Sequence, residues 1–341
     1  MPESGNPAPV PRQQEPGSLT GVQAQPQTAT EPAPGATSAR VPQQGGPRAT
    51  VLDSGIAALV TAFHPDERVL DVIEAARQSC SLVVVIDNTP GGSERLGRVF
   101  PNNVRVLGPG MNLGLAGALN LGLREIDATP DVPIGTVLLM DQDSVLAPEL
   151  VHGLEAILQD PTIAAASPAP WDATNASYID PRTALRKDVT DRPAVITSGL
   201  LIRRSALADV GDFREDFFVD CIDQDFCLRL AKAGHRIVQD KRLKLPHSLG
   251  ETRTHRFLVG KVRVSHHATW RLYWVFRNGV ILIRENGWSN PLWSLSRVLI
   301  LLRWMLLTLL YEAPRGTRLR AVVHGTFDGL FGRTSDAYRP R

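Results

Sequence analysis

Short apolar runs alternate with amphipathic patterns over the first third of the ordered chain. The apolar runs are bounded by turn residues and predict four buried strands, at residues 56–63, 82–86, 104–107 and 136–140. Apolar positions at helical spacing predict helices between them, at residues 67–79 and 115–126. Strands alternating with helices are typical of a mostly parallel α/β sheet covered by helices, whose ligands bind at the carboxyl ends of the strands.

The pattern is less regular after Pro148. We predict a helix at residues 149–158, an irregular stretch through Pro193, a strand at 195–202 interrupted by Ser198 and Gly199, and a helix at 226–233. The last 30 residues are basic and weakly patterned.

A long apolar segment covers residues 291–311. Its 21 residues are enough to span a bilayer, but Arg297 and Arg303 oppose insertion, since a central Arg costs roughly 2.5–3.5 kcal/mol on insertion scales. We expect a helix lying on the membrane surface, with the two arginines at the edges of its apolar face. A buried helix that closes the catalytic domain and a true transmembrane span remain as alternatives.

Composition separates the first 50 residues from the rest. They hold ten Pro, seven Gln and six Gly, too little apolar surface to offset the entropy of ordering. We therefore predict a disordered tail at residues 1–50, a catalytic domain at 51–250 and a helical, basic, membrane-associated region at 251–341.

Charge is distributed unevenly around a net value of +2. Residues 1–240 hold 19 Lys+Arg against 30 Asp+Glu, and residues 241–341 hold 18 against 5, which gives nets of −11 and +13. We expect no nucleic-acid partner, and we expect the basic end to meet an anionic membrane surface.

The three cysteines, Cys80, Cys221 and Cys227, fit neither a disulfide framework nor a zinc site. The N-terminus has no basic start followed by an apolar run, so no secretory signal is expected. We expect a cytoplasmic protein, peripheral on the inner face of the cell membrane. Its oligomeric state stays open.

Two acidic clusters are candidates for chemistry. Asp141 and Asp143 follow an apolar strand, and alternate residues of an extended chain point the same way, so both could bind Mg²⁺ or Mn²⁺. The same pattern also fits a solvated loop. Asp220, Asp223 and Asp225 lie at the start of a helix, where capping accounts for one or two carboxylates but not for all three. One of them could act as a general base.

Three further segments carry residues of interest. Small residues from Asn112 and Gly114 onward open a helix and allow close approach of a ligand or of another backbone. His247 could complete the Asp141 site, although a lone His is more often structural. Arg271 lies among aromatic residues that could bind phosphate or a sugar, or could simply form a packed helix.

Taken together, these stretches resemble an inverting family 2 glycosyltransferase of the GT-A type, most of all the bacterial rhamnosyltransferase branch. The resemblance covers about residues 56–285. It rests on residues 85–88 (VIDN), 112–115 with Asn120, 138–144 (LLMDQDS), 197–199, 210–220 (VGDFREDFFVD), 223–225 with Arg229, 247–250, and 267–278.

The resemblance implies a role for each matching position. Asp223 would be the catalytic base and Asp225 its neighbouring carboxylate, while Asp141, Asp143 and His247 would bind the metal and the diphosphate. The remaining implied residues bind the nucleotide sugar (Asp87, Asn112, Gly114, Asp141, Arg229) or lie on the acceptor side (Ser198, Gly199, Arg271).

The implied reaction is a single displacement with inversion at the anomeric carbon. The implied donor is dTDP-L-rhamnose, and the implied acceptor is a glycan or a polyprenyl-diphosphate-linked sugar in cell-wall or surface polysaccharide synthesis. Another hexosyl transfer, such as galactofuranosyl transfer, and a non-catalytic sugar-nucleotide-binding scaffold are alternatives. A nucleotidyltransferase is less consistent with residues 61–68, which lack a Gly-rich phosphate loop.

Overall fold

A computed structural model of the chain describes residues 55–247, 252–257, 260–265 and 268–340. The predicted tail at 1–50 lies outside these residues. The first part of the described chain alternates strands and helices as predicted, with ends shifted by no more than a few residues. The elements are β1 Gly55–Ala62, α1 Arg68–Ser79, β2 Leu82–Asp87, β3 Val104–Leu107, α2 Gly114–Asp127 and β4 Ile134–Asp141.

These four strands form a parallel half-sheet in the order β3-β2-β1-β4. Ala62 pairs with Asp87 and Thr61 pairs with Asp141, so the acidic ends of β2 and β4 flank the end of β1. This edge is where the sequence predicts ligand binding, because the carboxyl ends of parallel strands meet there.

The middle of the chain contains more regular structure than its sequence indicates. The elements are α3 Pro148–Ile157, β5 Ile163–Asp172, β6 Ser177–Tyr178, β7 Val189–Asp191, β8 Leu200–Arg203, α4 Arg204–Val210, α5 Ile222–Lys232, β9 Arg236–Pro246, β10 Thr252–Phe257 and β11 Gly260–Ser265. The prediction of an irregular stretch through Pro193 is therefore wrong where β5, β6 and β7 form. The predicted strand at 195–202 is shorter, since only residues from Leu200 onward pair.

Strand β5 escaped prediction because Pro168 and Pro170 lie within it, and proline argues against a central strand. Its parallel pairing with β9 shifts register between Pro168 and Ala169, an irregularity that accommodates the missing N–H. The sheet continues β4-β8-β5-β9-β7, with β8 antiparallel to both neighbours, so the α/β fold is confirmed with a mixed sheet whose parallel strands are concentrated in its first half.

Two apolar layers enclose the sheet. Ile56, Ala58 and Val60 of β1 pack into a core shared with α1 and α3, whereas Ala57 and Leu59 pack into a core shared with α2 and α5. This division follows from the alternation of side chains along a strand. Because both faces are covered, β1 and β2 read as continuous apolar runs in the sequence.

Three helices follow the sheet: α6 Thr269–Asn286, α7 Pro291–Tyr311 and α8 Arg315–Phe331. Helix α8 lies in the weakly patterned C-terminal stretch, within the region that the sequence predicts to be helical. Gly325 and Gly329 leave no room for a side chain, since a Cβ there would clash with the backbone carbonyls of Tyr273 and Arg277. Helices α6 and α8 thus pack backbone to backbone. All described residues belong to one compact unit, and the boundary at residue 250 stays a prediction.

Candidate active site at the carboxyl edge of the sheet

Asp141, Asp143 and His247 lie together at this edge. One ligand atom from each lies within 4.8 Å of the others. Asp141 ends β4 and Asp143 follows two residues later. His247 directly follows β9. Its backbone N–H donates a hydrogen bond to the carbonyl of Trp171 on β5 (3.0 Å), which continues the pairing of these two strands. The Ser144 hydroxyl contacts Nδ1 of His247 at 3.0 Å and fixes the orientation of the ring.

This donor set fits a divalent cation. Mn²⁺ binds both carboxylate oxygens and imidazole nitrogens. Mg²⁺ favours oxygen, so it would bind the two carboxylates more readily than the imidazole. Burial raises the pKa of the Asp141 carboxyl above its ordinary value, and Asp143 raises it further, whereas His247 and Arg271 oppose the shift. Bringing a cation to this site would relieve the repulsion between the two carboxylates.

A cavity of about 290 Å³ opens beside this cluster. Of the residues predicted to be functional, it brings together Asp141, Asp223, His247 and Arg271. The other side of the cavity is formed by α7, through residues that no sequence argument placed there: Arg297, Ile300, Leu301 and Trp304. Helix α7 is therefore part of the site.

Asp223 lies in the first turn of α5 and faces this cavity. Burial raises the pKa of its carboxyl to about 6, with a further contribution from Asp220, while a backbone N–H and Arg297 oppose the shift. A carboxyl group with a pKa near 6 is deprotonated at neutral pH and still basic enough to accept a proton from a reacting hydroxyl.

The loop that leads into α5 has an unusual backbone. Phe218, Asp220 and Cys221 all have positive φ angles, between 55° and 63°. Such conformations cost non-glycine residues of order 1–3 kcal/mol each and persist only where the surroundings enforce them. The loop therefore places Asp220 and Asp223 at the cavity at an energetic cost that other contacts must offset.

Helix α6 supplies those contacts. The side-chain amide of Asn278 is fully buried and donates to the carbonyls of Phe217 (2.8 Å), Val219 (2.8 Å) and Asp220 (3.0 Å). Arg271 binds the Asp220 carboxylate in bidentate fashion, at 2.8–3.2 Å. This geometry is the strongest type of Arg–carboxylate contact.

Arg277 extends the same support toward the C-terminus. Its guanidinium is 2% exposed and donates to the Arg333 carbonyl (2.6 Å), the Asp216 carbonyl (2.8 Å) and the Thr334 hydroxyl (2.8 Å). A buried charge with its donors satisfied is a rigid link. Arg277 and Asn278, at the end of the 267–278 motif, thus position the loop. Nothing in the sequence around them predicts this role.

Asp225 and Arg229, both predicted site residues, do not line the cavity. Asp225 lies two residues after Asp223, about 200° around the helix at 3.6 residues per turn. Its buried carboxylate accepts a hydrogen bond from Arg229 (2.8 Å) and lies 3.6 Å from Arg214. Arg229 also donates to the carbonyl of Val210 (2.6 Å). The structure thus pairs Asp225 and Arg229 with each other and anchors α5 through them.

Asn112 and Gly114, two of the residues predicted to bind the nucleotide, contact Asn88. The Asn88 amide donates to Oδ1 of Asn112 (3.0 Å) and to the carbonyl of Gly114 (3.1 Å). Gly114 has φ +75°, and a Cβ there would lie 2.5 Å from the carbonyl oxygen of Phe218. The glycine therefore permits α2 to contact the strained loop directly, and the close approach is to protein backbone.

Asp87 is buried at the end of β2, and its carboxylate accepts backbone hydrogen bonds from Thr89 (3.2 Å) and Ser93 (2.6 Å). On the other side of the sheet edge, Ser198 is buried and the Gly199 N–H donates to the carbonyl of Leu139 (2.8 Å). Neither Ser198 nor Gly199 lines the cavity, although the preceding Thr197 does.

Comparison with known proteins agrees with this geometry. The sequence profile of the family described as "Glycosyl transferase family 2" matches residues 59–211. The chain is 24% identical over 297 residues to the protein named dTDP-rhamnosyl transferase RfbF from Shigella flexneri. The alignment covers 83% of this chain and 98% of that protein.

Two solved structures are similar at low identity. S. aureus TarS superposes with a TM-score of 0.51 at 14% identity, over 83% of this chain and 50% of the TarS chain. The structure titled GalNAc-T7 with UDP, GalNAc and Mn2+ gives a TM-score of 0.46 at 13% identity, over 56% of this chain and 43% of that chain. This chain thus spans half or less of each solved chain.

The family profile covers the parallel half-sheet, the Asp141–Asp143 pair and β8, and the TarS likeness concerns the fold as a whole. Both agree with the resemblance that the sequence motifs carry. Residues 59–211 therefore match glycosyl transferase family 2, and the fold is of the GT-A type.

Proposed function

We propose that this chain transfers L-rhamnose from dTDP-L-rhamnose, with inversion, to a hydroxyl of a glycan or polyprenyl-diphosphate-linked acceptor in cell-wall or surface polysaccharide synthesis. The observation that carries the proposal is one cavity faced by both Asp223 and the Asp141–His247 cluster. The choice of donor is supported by the name of the Shigella flexneri relative, dTDP-rhamnosyl transferase RfbF, and by an alignment that covers 98% of that protein.

In this proposal Asp223 accepts the proton of the acceptor hydroxyl, and the hydroxyl oxygen bonds to the anomeric carbon. The bond from that carbon to the diphosphate oxygen breaks, and its electron pair leaves with dTDP on the opposite face of the sugar. Asp141, Asp143 and His247 hold Mg²⁺ or Mn²⁺, which when bound neutralises charge on the departing diphosphate. Arg271 positions Asp220 and the loop beside Asp223.

Asp87, Asn112 and Gly114 are proposed to border the nucleotide. Support comes from their place at the ends of β2 and at the start of α2, on the same edge as Asp141. Asp225 and Arg229 contribute by fixing α5, and Ser198 and Gly199 by fixing the segment that ends at Thr197 on the acceptor side.

The direct test supplies dTDP-L-rhamnose with Mn²⁺ and a membrane-lipid extract as the source of acceptor. We expect dTDP release that depends on the extract, and rhamnose incorporation into extractable lipid. UDP-galactofuranose run in parallel tests the alternative donor, and faster transfer from it would overturn the choice of rhamnose. Binding of either donor without any transfer would favour a non-catalytic scaffold.

Helix α7 supports a location at the membrane. It is 21 residues long with a mean hydropathy of 1.5 over its most apolar 18 residues, and only 17% of that window is buried. An exposed apolar stripe recurs every three or four residues, which places it on one face of the helix. Its members are Leu292, Leu295, Leu299, Leu302 and Leu306.

The flanking segments add charge. Arg303 is exposed on α7, and Arg315 and Arg320 are exposed on α8. An apolar face bordered by arginines fits an anionic leaflet better than a protein core, because the arginines remain at the headgroup level. We propose that the chain is cytoplasmic and peripheral on the inner face of the cell membrane, through this face.

Liposome flotation tests the location. Full-length protein should float with vesicles that contain anionic lipid, and the double variant Leu299→Asp/Leu302→Asp should shift at least half of the bound protein to the soluble fraction, because each charge must enter the interface. The control is Leu185→Asp, at a leucine that is 90% exposed and far from α7 in sequence. Wild-type protein that stays in the soluble fraction would contradict the membrane proposal.

A further inference from the structure

The face of α7 opposite the leucine stripe has its own pattern. Ser294, Leu301 and Thr308 are buried, and Arg297 and Trp304 lie on the same face and line the cavity. Spacings of three and four residues connect all five. Arg297 therefore does not lie at the edge of the apolar face, as the sequence led us to expect, but points inward to the site.

Among the described residues Arg297 forms no ion pair within 4 Å, although Asp223 lies close enough for the Arg297 charge to lower the pKa of its carboxyl. Its Nε is buried and has no hydrogen-bond partner among the described residues, and its Nη2 contacts Cys221 Sγ at 3.9 Å. Burial raises the pKa of the Cys221 thiol to about 12, so this neighbour is neutral at physiological pH. By contrast, Arg271 on the same cavity binds the Asp220 carboxylate.

A partly buried guanidinium without a full set of acceptors is costly, and proteins retain one where a ligand completes it. Phosphate is the ligand that matches a guanidinium best, since its oxygens accept two parallel hydrogen bonds. The cavity beside Arg297 has room for a phosphate. Ile300, Leu301 and Trp304 add apolar surface, which a phosphate alone would not need.

Both the nucleotide-sugar donor and a lipid-linked acceptor carry phosphate, and the two phosphates would bind at different places in the site. The diphosphate of the donor belongs with the Asp141–Asp143–His247 cluster at the strand ends. Arg297 lies on the cavity face of α7 beside Leu301 and Trp304, so a phosphate bound at Arg297 with a hydrocarbon chain attached would have apolar surface next to that chain. The exposed leucines lie on the opposite face of the same helix.

We propose that Arg297 binds the phosphate of a lipid-linked acceptor and so selects acceptors that carry a lipid phosphate. The inference rests on the proposed transferase function and deepens it by naming the residue that recognises the acceptor. Arg297 is a binding residue in this scheme, since it contacts the phosphate of the acceptor and not the hydroxyl that reacts.

Binding measurements test this without turnover. Farnesyl diphosphate serves as the lipid phosphate probe, farnesol as the same chain without phosphate, and dTDP with Mn²⁺ as the donor-side probe. Wild-type protein should bind farnesyl diphosphate more tightly than farnesol. Arg297→Gln should raise the Kd for farnesyl diphosphate at least about tenfold, because a charge-assisted contact is lost, and should leave the Kd for dTDP unchanged.

Arg182→Gln is the control, since it removes the same charge from an exposed position that is far from α7 in sequence and does not line the cavity. Arg297→Lys, which keeps the charge but loses the planar fork, should retain part of the affinity and serves if the glutamine variant unfolds. Unchanged farnesyl diphosphate binding in Arg297→Gln overturns the proposal, and so does a loss confined to dTDP, which would assign Arg297 to the donor. Wild-type protein that fails to bind dTDP contradicts the transferase proposal, whereas the farnesyl diphosphate comparison still decides the role of Arg297.

Discussion

Asp223→Asn is expected to lower the rate of sugar transfer by roughly two to four orders of magnitude, the usual contribution of a general base. The amide has nearly the same shape as the carboxyl but accepts no proton at neutral pH. Donor binding should survive, since the Asp141–Asp143–His247 cluster is untouched. The measurement is kcat for dTDP release in the presence of acceptor, together with the Kd for dTDP.

The pH profile gives a second readout of the same substitution. The pKa of Asp223 is raised to about 6, and the base acts in its deprotonated form, so wild-type activity should rise with pH through about 6 and level off above it. The charged and titratable groups that line the cavity with Asp223 come from five segments: Asp220 on the loop, Asp141 at the end of β4, His247 after β9, Arg271 on α6 and Arg297 on α7. The residual activity of Asp223→Asn should lack this limb.

Asp209→Asn is the matched control, because Asp209 is exposed and pairs with His235 on the surface. It should leave both the rate and the pH profile unchanged. Transfer near the wild-type rate in Asp223→Asn would show that another group accepts the proton.

Removal of divalent metal is expected to have an effect of similar size. Excess EDTA should reduce transfer to background, and added Mn²⁺ or Mg²⁺ should restore it, because the donor diphosphate is then held by a neutralising cation. The measurement is initial rate against free metal concentration. From that titration the apparent metal affinity follows.

Asp143→Asn should shift the metal titration to higher concentrations, since it removes one anionic ligand from the cluster. Asp191→Asn is the control, at an exposed carboxylate that pairs with Arg236. A rate that EDTA leaves unaffected would contradict the assignment of Asp141, Asp143 and His247 as a metal site.

Much of the first half of the fold could be predicted from the sequence. Strands β1, β2 and β4 are buried on both faces, so they appear as apolar runs that end at polar residues. The parallel register then places Asp87 and Asp141 at one edge without further information. Strand β5 could not be found in this way, because the register shift that accommodates its prolines depends on β9, more than 60 residues later.

The residues of the site could likewise be predicted only in part. The sequence motifs contain Asp141, Asp143, Asp223 and His247. The structure brings Asp141, Asp223 and His247 to one cavity, with Asp143 beside them. Asp225 belongs to the same motif but turns away, since two residues on a helix differ by about 200° and Arg229 lies one turn ahead to pair with it. Adjacency in a motif therefore did not determine which carboxylate faces the substrate.

The sequence by itself determined the α/β fold of the first half, the acidic residues at the strand ends and the resemblance to family 2 glycosyltransferases, because burial periodicity and motif spacing are local properties of the chain. Only the tertiary structure decided that Asn278 and Arg277 hold a loop of positive φ angles and that α7 closes the cavity. Those contacts join residues about 60 or more positions apart. The direction in which Arg297 points depends on what α7 packs against, and no pattern within α7 contains that information.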